Sequence, residues 1–168
     1  MEICGKTVKF GNNVNTDLII PGKYLTTLDP QELAKHAMEG LDPEFAGKAS
    51  EGVIIVAGGN FGCGSSREQA PIALKYAGVK GVLAESFARI FYRNSINISL
   101  PVLECSGIFS KVDPGDELCV DLAGGKVANL SKNESFQAIE FPDSVLEIIG
   151  DGGLIEHLKK RLRRDGLL

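Results

Sequence analysis

The stretch Val53-Ile54-Ile55-Val56-Ala57, running into Gly58-Gly59-Asn60-Phe61-Gly62-Cys63-Gly64-Ser65-Ser66-Arg67-Glu68-Gln69-Ala70, decides the fold. Its first five residues are uniformly apolar and β-branched-rich, the pattern of a strand buried on both faces. After the glycines, Ile72, Ala73 and Tyr76 fall at helical spacing, and Gly78 suits a left-handed helix end. Val79-Lys80-Gly81-Val82-Leu83-Ala84 then reads as a second buried strand. Residues 53 to 84 therefore predict a βαβ unit, and with it a parallel pair of strands.

The loop inside that unit carries chemistry. Four glycines between Gly58 and Gly64 let the backbone bend through positive φ and bring its N–H groups close to a ligand. Together with the free donors of a helix start they make an anion pocket. Into it the chain places Ser65, Ser66 and Arg67, and a guanidinium can grip a carboxylate with two parallel hydrogen bonds. A plainer role stands beside this one: Ser65-x-x-Glu68 is also a capping box, with Pro71 suited to a helix beginning. The known phosphate loops do not match. There is no Gly-Lys-Ser/Thr, and the third glycine of the dinucleotide fingerprint is missing.

Working outward, Cys4–Phe10 predicts a first strand and Gly11-Asn12-Asn13 a turn. Thr16 and Asp17 then cap or turn the backbone ahead of Leu18-Ile19-Ile20, which Pro21-Gly22 stops. Lys23–Leu28 reads as a loop, followed by a helix over Gln31–Met38 with Asp29 at its cap and Pro30 at its first position. His36 in that helix is expected to be packed or solvated. Gly40–Glu51 reads as a polar connection. Ser86–Asn94 predicts a helix with Arg89 and Arg93 on one face, and Leu100–Leu103 a third short strand. Beyond the Asp113-Pro114-Gly115-Asp116 turn, Leu118–Leu122 and Lys126–Leu130 form a hairpin about Gly124-Gly125. Ser144–Ile149 and Leu154–Leu162 are expected as two short helices.

A chain of 168 residues, 43% hydrophobic and 24% charged, fits one globular domain over residues 1–168. Its net charge of -4 implies no global surface for nucleic acid, and the basic run Lys159–Arg164 is expected to offset a helix dipole. The cysteines Cys4, Cys63, Cys105 and Cys119 form no C-x-x-C pair, and with only His36 and His157 no metal site of its own is expected. With no leader-like start and no apolar run of membrane length, a cytoplasmic protein with reduced thiols is expected.

Three ordered motifs, Asn15-Thr16-Asp17, Asn60-Phe61-Gly62-x-Gly64-Ser65-Ser66-Arg67-Glu68 and Ser86-Phe87-Ala88-Arg89-Ile90, resemble the C-terminal swivelling domain of aconitases. With the continuation Phe91-Tyr92-Arg93-Asn94-x-Ile96-Asn97, the chain is most similar to the free-standing small subunits of the 3-isopropylmalate dehydratase and homoaconitase family. The resemblance implies an α/β fold with layered β/β/α architecture and a mixed sheet. It implies a hydro-lyase active only with a large subunit, as a heterodimer or heterotetramer, that carries a [4Fe-4S] cluster. Within it, Ser65 matches the catalytic serine, which takes the proton from the carbon beside a carboxylate. Arg67 matches the arginine that holds a substrate carboxylate, with Ser66 and Gly64 beside it, and Thr16 and Asp17 match a pair in the N-terminal motif.

The resemblance also places substrate choice in Tyr24-Leu25-Thr26-Thr27. Homoaconitase-like relatives carry an arginine where this chain has Thr26, and isopropylmalate enzymes tend to carry apolar residues there. The implied substrate is isopropylmalate, in leucine biosynthesis, with homoaconitate and methyl- or dimethylmalate as alternatives. A stand-alone anion-binding module is the reading from a different class. The segment is expected to be mobile in the isolated chain and to order on assembly.

Overall fold

The computed structural model describes residues 1–167. In chain order its elements are β1 (Glu2–Phe10), α1 (Thr16–Ile19), α2 (Pro30–Lys35), α3 (Phe45–Ala49), β2 (Val53–Ala57), α4 (Gln69–Ala77), β3 (Val79–Ala84) and α5 (Arg89–Asn97). There follow β4 (Val102–Glu104), α6 (Ile108–Lys111), β5 (Glu117–Asp121), β6 (Lys126–Asn129), β7 (Glu134–Gln137), α7 (Asp143–Gly150) and α8 (Leu154–Arg164). One seven-stranded sheet runs in the order β4-β3-β2-β1-β5-β6-β7. Strands β1 to β4 are parallel, and β5 to β7 add an antiparallel meander to the far side of β1. The sheet is mixed, in an α/β chain.

The two halves of the sheet differ in burial for a physical reason. Helical crossovers cover the parallel half, so Val53–Ala57 is buried throughout and no position has a solvated face to supply polar alternation. Strand β5 alternates instead, with Leu118 and Val120 inward and Glu117 and Asp121 outward. The topology matters for function because parallel neighbours present their carboxyl ends on one edge. The connections leaving β1, β2 and β3 therefore meet there, although they begin at residues 11, 58 and 85.

Several expectations need correction. The region 40–51 is not merely a polar connection: it holds α3, whose Phe45 and Ala49 are fully buried, Phe45 against Phe10 with ring centroids 5.8 Å apart. Helix α5 starts at Arg89 rather than Ser86. Residues 86–88 are held extended because Phe61 N donates to Ser86 O (3.0 Å) and Ala88 N to Phe61 O (2.9 Å). The helix expected over Gln31–Met38 ends at Lys35, since His36 leaves the helical region and Met38 adopts φ 58 while its N–H bonds Ile19 O. The short α6 and the edge strand β7 were not foreseen.

Reduced thiols are corrected at one pair. Cys4 and Cys119 face each other directly across the β1–β5 ladder and are joined by a disulfide, with Cα atoms 4.1 Å apart. They lie on the same face as Glu2, Lys6, Glu117 and Asp121, the outer one. Cys63 and Cys105 are free, and burial pushes the Cys105 thiol up to about 11.

Candidate functional site

The glycine loop does not cap its helix. Helix α4 begins at Gln69, its cap position is Glu68, and no side chain caps it. The capping box is absent because the helix starts four residues after Ser65, while the loop's backbone and Arg67 bond outward. Thr16, 2% exposed, donates its hydroxyl to Ser65 O (2.9 Å), while its own N–H bonds Cys63 O (2.8 Å). Arg67 Nη1 reaches Asp17 Oδ1 (2.5 Å) and Ile20 O (3.1 Å). The Ser65 side chain is left exposed, with no hydrogen bond among the described residues.

Asn15 supplies the cap of α1, accepting from Leu18 N (3.0 Å), so Thr16 and Asp17 are free for these contacts. On the other side, Gly62 N donates to Val14 O (2.7 Å). Beneath the loop Phe61 is fully buried and packs edge-on against Phe91 of α5 at 5.3 Å and Phe87 at 6.2 Å. Aromatic pairs of this kind contribute about 0.5–1.5 kcal/mol each beyond burial. The first turn of α5 is thereby fixed to the loop.

These contacts enclose an open cleft of about 370 Å³. Thr16 from the N-terminal motif and Gly64, Ser65, Ser66 and Arg67 from the glycine loop line it. Helix α5 adds Arg89, Ile90 and Asn94, which sequence reasoning did not assign to the site. Arg89 and Asn94 follow β3 as the serine loop follows β2, and that shared position at the end of a parallel strand is the signal that could have found them. Asp17 does not line the cleft; it stands behind Arg67 as its partner, 60% exposed against 14% for the arginine. Only Nη1 of Arg67 is engaged among the described residues, so the rest of the guanidinium fork is available to an anion in the cleft.

Tyr24, Leu25, Thr26 and Thr27 do not line this cavity. The segment touches the site at its start, where a β-carbon built on Gly22 would lie 3.8 Å from Arg67 Nη2. Hollows of about 530 Å³ between α7 and α8, and about 590 Å³ beside Cys4 and Lys80, are larger. Neither combines a hydroxyl nucleophile with a glycine loop's donors, so volume does not identify the site and chemistry does.

The arrangement can seat a carboxylate on Arg67 and the backbone N–H groups of Gly64 to Ser66, with a serine hydroxyl beside it. It cannot hold an iron–sulfur cluster through three thiolates. Two sulfurs are bonded to each other, Cys105 is buried, and Cys63 stands alone.

An aconitase C-terminal domain matches residues 42–107, which include the glycine loop and the first turn of α5. A 3-isopropylmalate dehydratase small subunit of Caldicellulosiruptor saccharolyticus is 55% identical over 96% of this chain and 93% of its own. The chain belongs to the aconitase-related family of dehydratase small subunits. A methanogen homoaconitase small subunit from Methanothermobacter thermautotrophicus is also 55% identical, over 95% of this chain and 92% of its own. Overall identity within the family thus does not separate the substrates that these names specify. The crystal structure of a 3-isopropylmalate dehydratase from Methanocaldococcus jannaschii superposes with a TM-score of 0.93 at 48% identity, covering 99% of this chain and 98% of that one. The family's fold is the fold described above. Among the described residues, no helix is long and apolar enough to cross a membrane.

Proposed function

We propose that this chain is the small subunit of a 3-isopropylmalate dehydratase, interconverting 2- and 3-isopropylmalate by dehydration and rehydration together with a large subunit. The observation that carries the reading is the convergence of Thr16, Ser65, Arg67, Arg89 and Asn94 on one cleft, in a chain of this family.

In this reading Arg67 holds a substrate carboxylate, and its Asp17 and Ile20 contacts fix the plane of the fork. Ser65, as its alkoxide, takes the proton from the carbon next to that carboxylate and becomes the neutral hydroxyl. The C–H electrons form the double bond as hydroxyl departs from the neighbouring carbon, and water returns in the opposite sense. A serine is a poor base in water, so the step relies on donors already aimed at the developing charge. Gly64 and Ser66 N–H groups and the guanidinium supply them, and Thr16 fixes the Ser65 backbone. An iron–sulfur cluster, which these scattered sulfurs do not fit, belongs to the large subunit in this proposal. No step assigned to this chain passes through it.

Thr26, in place of an arginine, leaves a third carboxylate without a partner, which favours an alkyl malate over a homoaconitate-type substrate. The domain is taken as residues 1–168 and its location as the cytoplasm, a reducing compartment in which the Cys4–Cys119 bond is open to reduction. The test is anaerobic hydration by this chain mixed with a cluster-bearing large subunit. Isopropylmaleate, citraconate, dimethylmaleate and cis-homoaconitate are offered in parallel. Preferred turnover of isopropylmaleate that needs both chains is expected; no turnover by a formed complex with an intact cluster contradicts the proposal.

A further inference from the structure

We propose that Glu39 and His36, both outside the cleft, clamp the Tyr24–Thr27 segment and so help set which substituent the enzyme accepts; this rests on the function proposed above. The segment leaves the site at Ile20, whose carbonyl binds Arg67, and passes Gly22 against the guanidinium. From there it is a single 3-10 turn, Gly22–Tyr24, followed by irregular chain to Asp29. Tyr24 N donates to Pro21 O (3.0 Å), Leu25 N to Gly22 O (3.2 Å) and Thr27 N to Tyr24 O (3.3 Å). Isolated turns of this kind have no ladder to propagate order, so the segment's position depends on an external anchor.

Tyr24 supplies the anchor point. Its hydroxyl donates to the Glu39 carboxylate, 3.0 Å from both oxygens, and its ring stacks on His36 at 3.6 Å with planes 9° apart. His36 Nδ1 lies 2.6 Å from Glu39 Oε2, and Lys23 Nζ lies 3.2 Å from Glu39 Oε1 and 4.7 Å above the Tyr24 ring. The post that carries Glu39 is rigid. Its neighbour Met38 is fully buried and bonds Ile19 O at 2.8 Å, and α2 buries Leu33 and Ala34. The clamp therefore ties this segment, one end on the substrate-binding arginine, to the hydrophobic core.

This division of labour changes what the four residues do. Tyr24 and Leu25 are turned onto the protein, and Thr27 Oγ1 accepts from Asp29 N (3.2 Å). Thr26 is left exposed with no hydrogen bond among the described residues. Of the four, it is the residue whose side chain stays free of the protein.

The experiment measures kcat and KM of the assembled two-subunit enzyme for isopropylmaleate and citraconate. The variants are Glu39→Gln, Tyr24→Phe, both together, and Thr26→Ala. Each clamp variant is expected to lower the preference for one substrate over the other by roughly tenfold, through KM with kcat nearly unchanged. The double variant is expected to be no worse than either single. Thr26→Ala shifting the preference while Glu39→Gln and Tyr24→Phe do not, or additive losses in the double variant, overturns the clamp. If Thr26→Ala also has no effect, the failure lies in the segment's role in substrate choice. If no substrate turns over, amide exchange of the isolated full chain still decides the clamp. Faster exchange at Leu25 and Thr27 in Glu39→Gln and Tyr24→Phe supports it, and unchanged exchange refutes it.

Discussion

Replacing Gly62 by alanine should be far more damaging than the same change two residues later at Gly64, and the difference can be worked from the structure. Both glycines have positive φ, 78 at Gly62 and 90 at Gly64. Forcing an L-residue into that region costs about 1–2 kcal/mol at either position. At Gly64 nothing is added, because a β-carbon would meet Asn15 Cβ and Thr16 Oγ1 at an ordinary 3.5 Å. At Gly62 it would lie 2.1 Å from Phe91 Cγ and 2.4 Å from Phe91 Cβ. Phe91 is 2% exposed, edge-on to Phe61 and stacked on Phe87, so the ring has nowhere to swing. Either the loop or α5 must move, an overpacking cost of about 1–3 kcal/mol. Gly64→Ala should therefore lose about 1–2 kcal/mol and Gly62→Ala about 2–5 kcal/mol. Urea unfolding with a common slope measures both. Gly62→Ala should also lose activity beyond its stability loss, since shifting α5 moves Arg89 and Asn94 away from Ser65. A Gly62→Ala loss equal to or below that of Gly64→Ala would refute the packing argument.

Arg67→Lys keeps the charge but not the fork, and should raise KM about 10- to 100-fold by removing one charge-assisted hydrogen bond to the substrate carboxylate; steady-state kinetics on the assembled enzyme would show an unchanged KM if another group holds it. Reducing the Cys4–Cys119 bond releases a closure spanning 115 residues, worth about 4–5 kcal/mol on the chain-entropy account. Thermal melting should shift down by roughly 10–20 °C in reductant, and an unchanged midpoint would contradict this contribution. Asp151, bonded by Lys160 Nζ (2.5 Å) and His157 Nδ1 (2.8 Å), ties the end of α7 to α8. The Lys160 and then the His157 hydrogen bonds hold its carboxyl below the usual carboxylate range. Its contribution is therefore present above the ordinary aspartate value and is lost as pH falls through the lower folded value. Amide exchange in 154–164 should quicken over that acidic window in the native chain, whereas Asp151→Asn should show no such acid-dependent change.

Much of the parallel half of the sheet was legible because β2 is an unbroken apolar run, β3 is broken only by Lys80, and the helix ends carry Gly or Asp-Pro signals. Val53–Ala57, Val79–Ala84 and the Asp29-Pro30 helix start stand where the pattern put them. What escaped was decided by contacts between residues distant in sequence. The start of α5 depends on Phe61 pairing with residues 86–88, and the path of the glycine loop on its backbone bonds to Val14 and Thr16. Phe45 and Ala49 lie among polar residues, so α3 has two buried positions and too little periodicity to declare itself. The cleft was legible in Thr16, Ser65 and Arg67 but not in Asn94, because only the β2–β3 register brings α5 over the glycine loop. The disulfide was hidden for a like reason: Cys4 and Cys119 become neighbours only once β5 pairs antiparallel with β1.

In the proposed reaction the glycine loop exists to place Ser65 as a base beside Arg67. The decisive measurement is turnover of isopropylmaleate by a Ser65→Ala chain assembled with an intact, cluster-bearing large subunit, with substrate affinity measured in parallel. A fall in kcat on the order of 10²–10⁴ with affinity nearly unchanged is expected, the signature of a lost proton-transfer group on a side chain that makes no hydrogen bond among the described residues. Wild-type turnover by that complex would contradict it and leave the loop as a carboxylate-binding element alone.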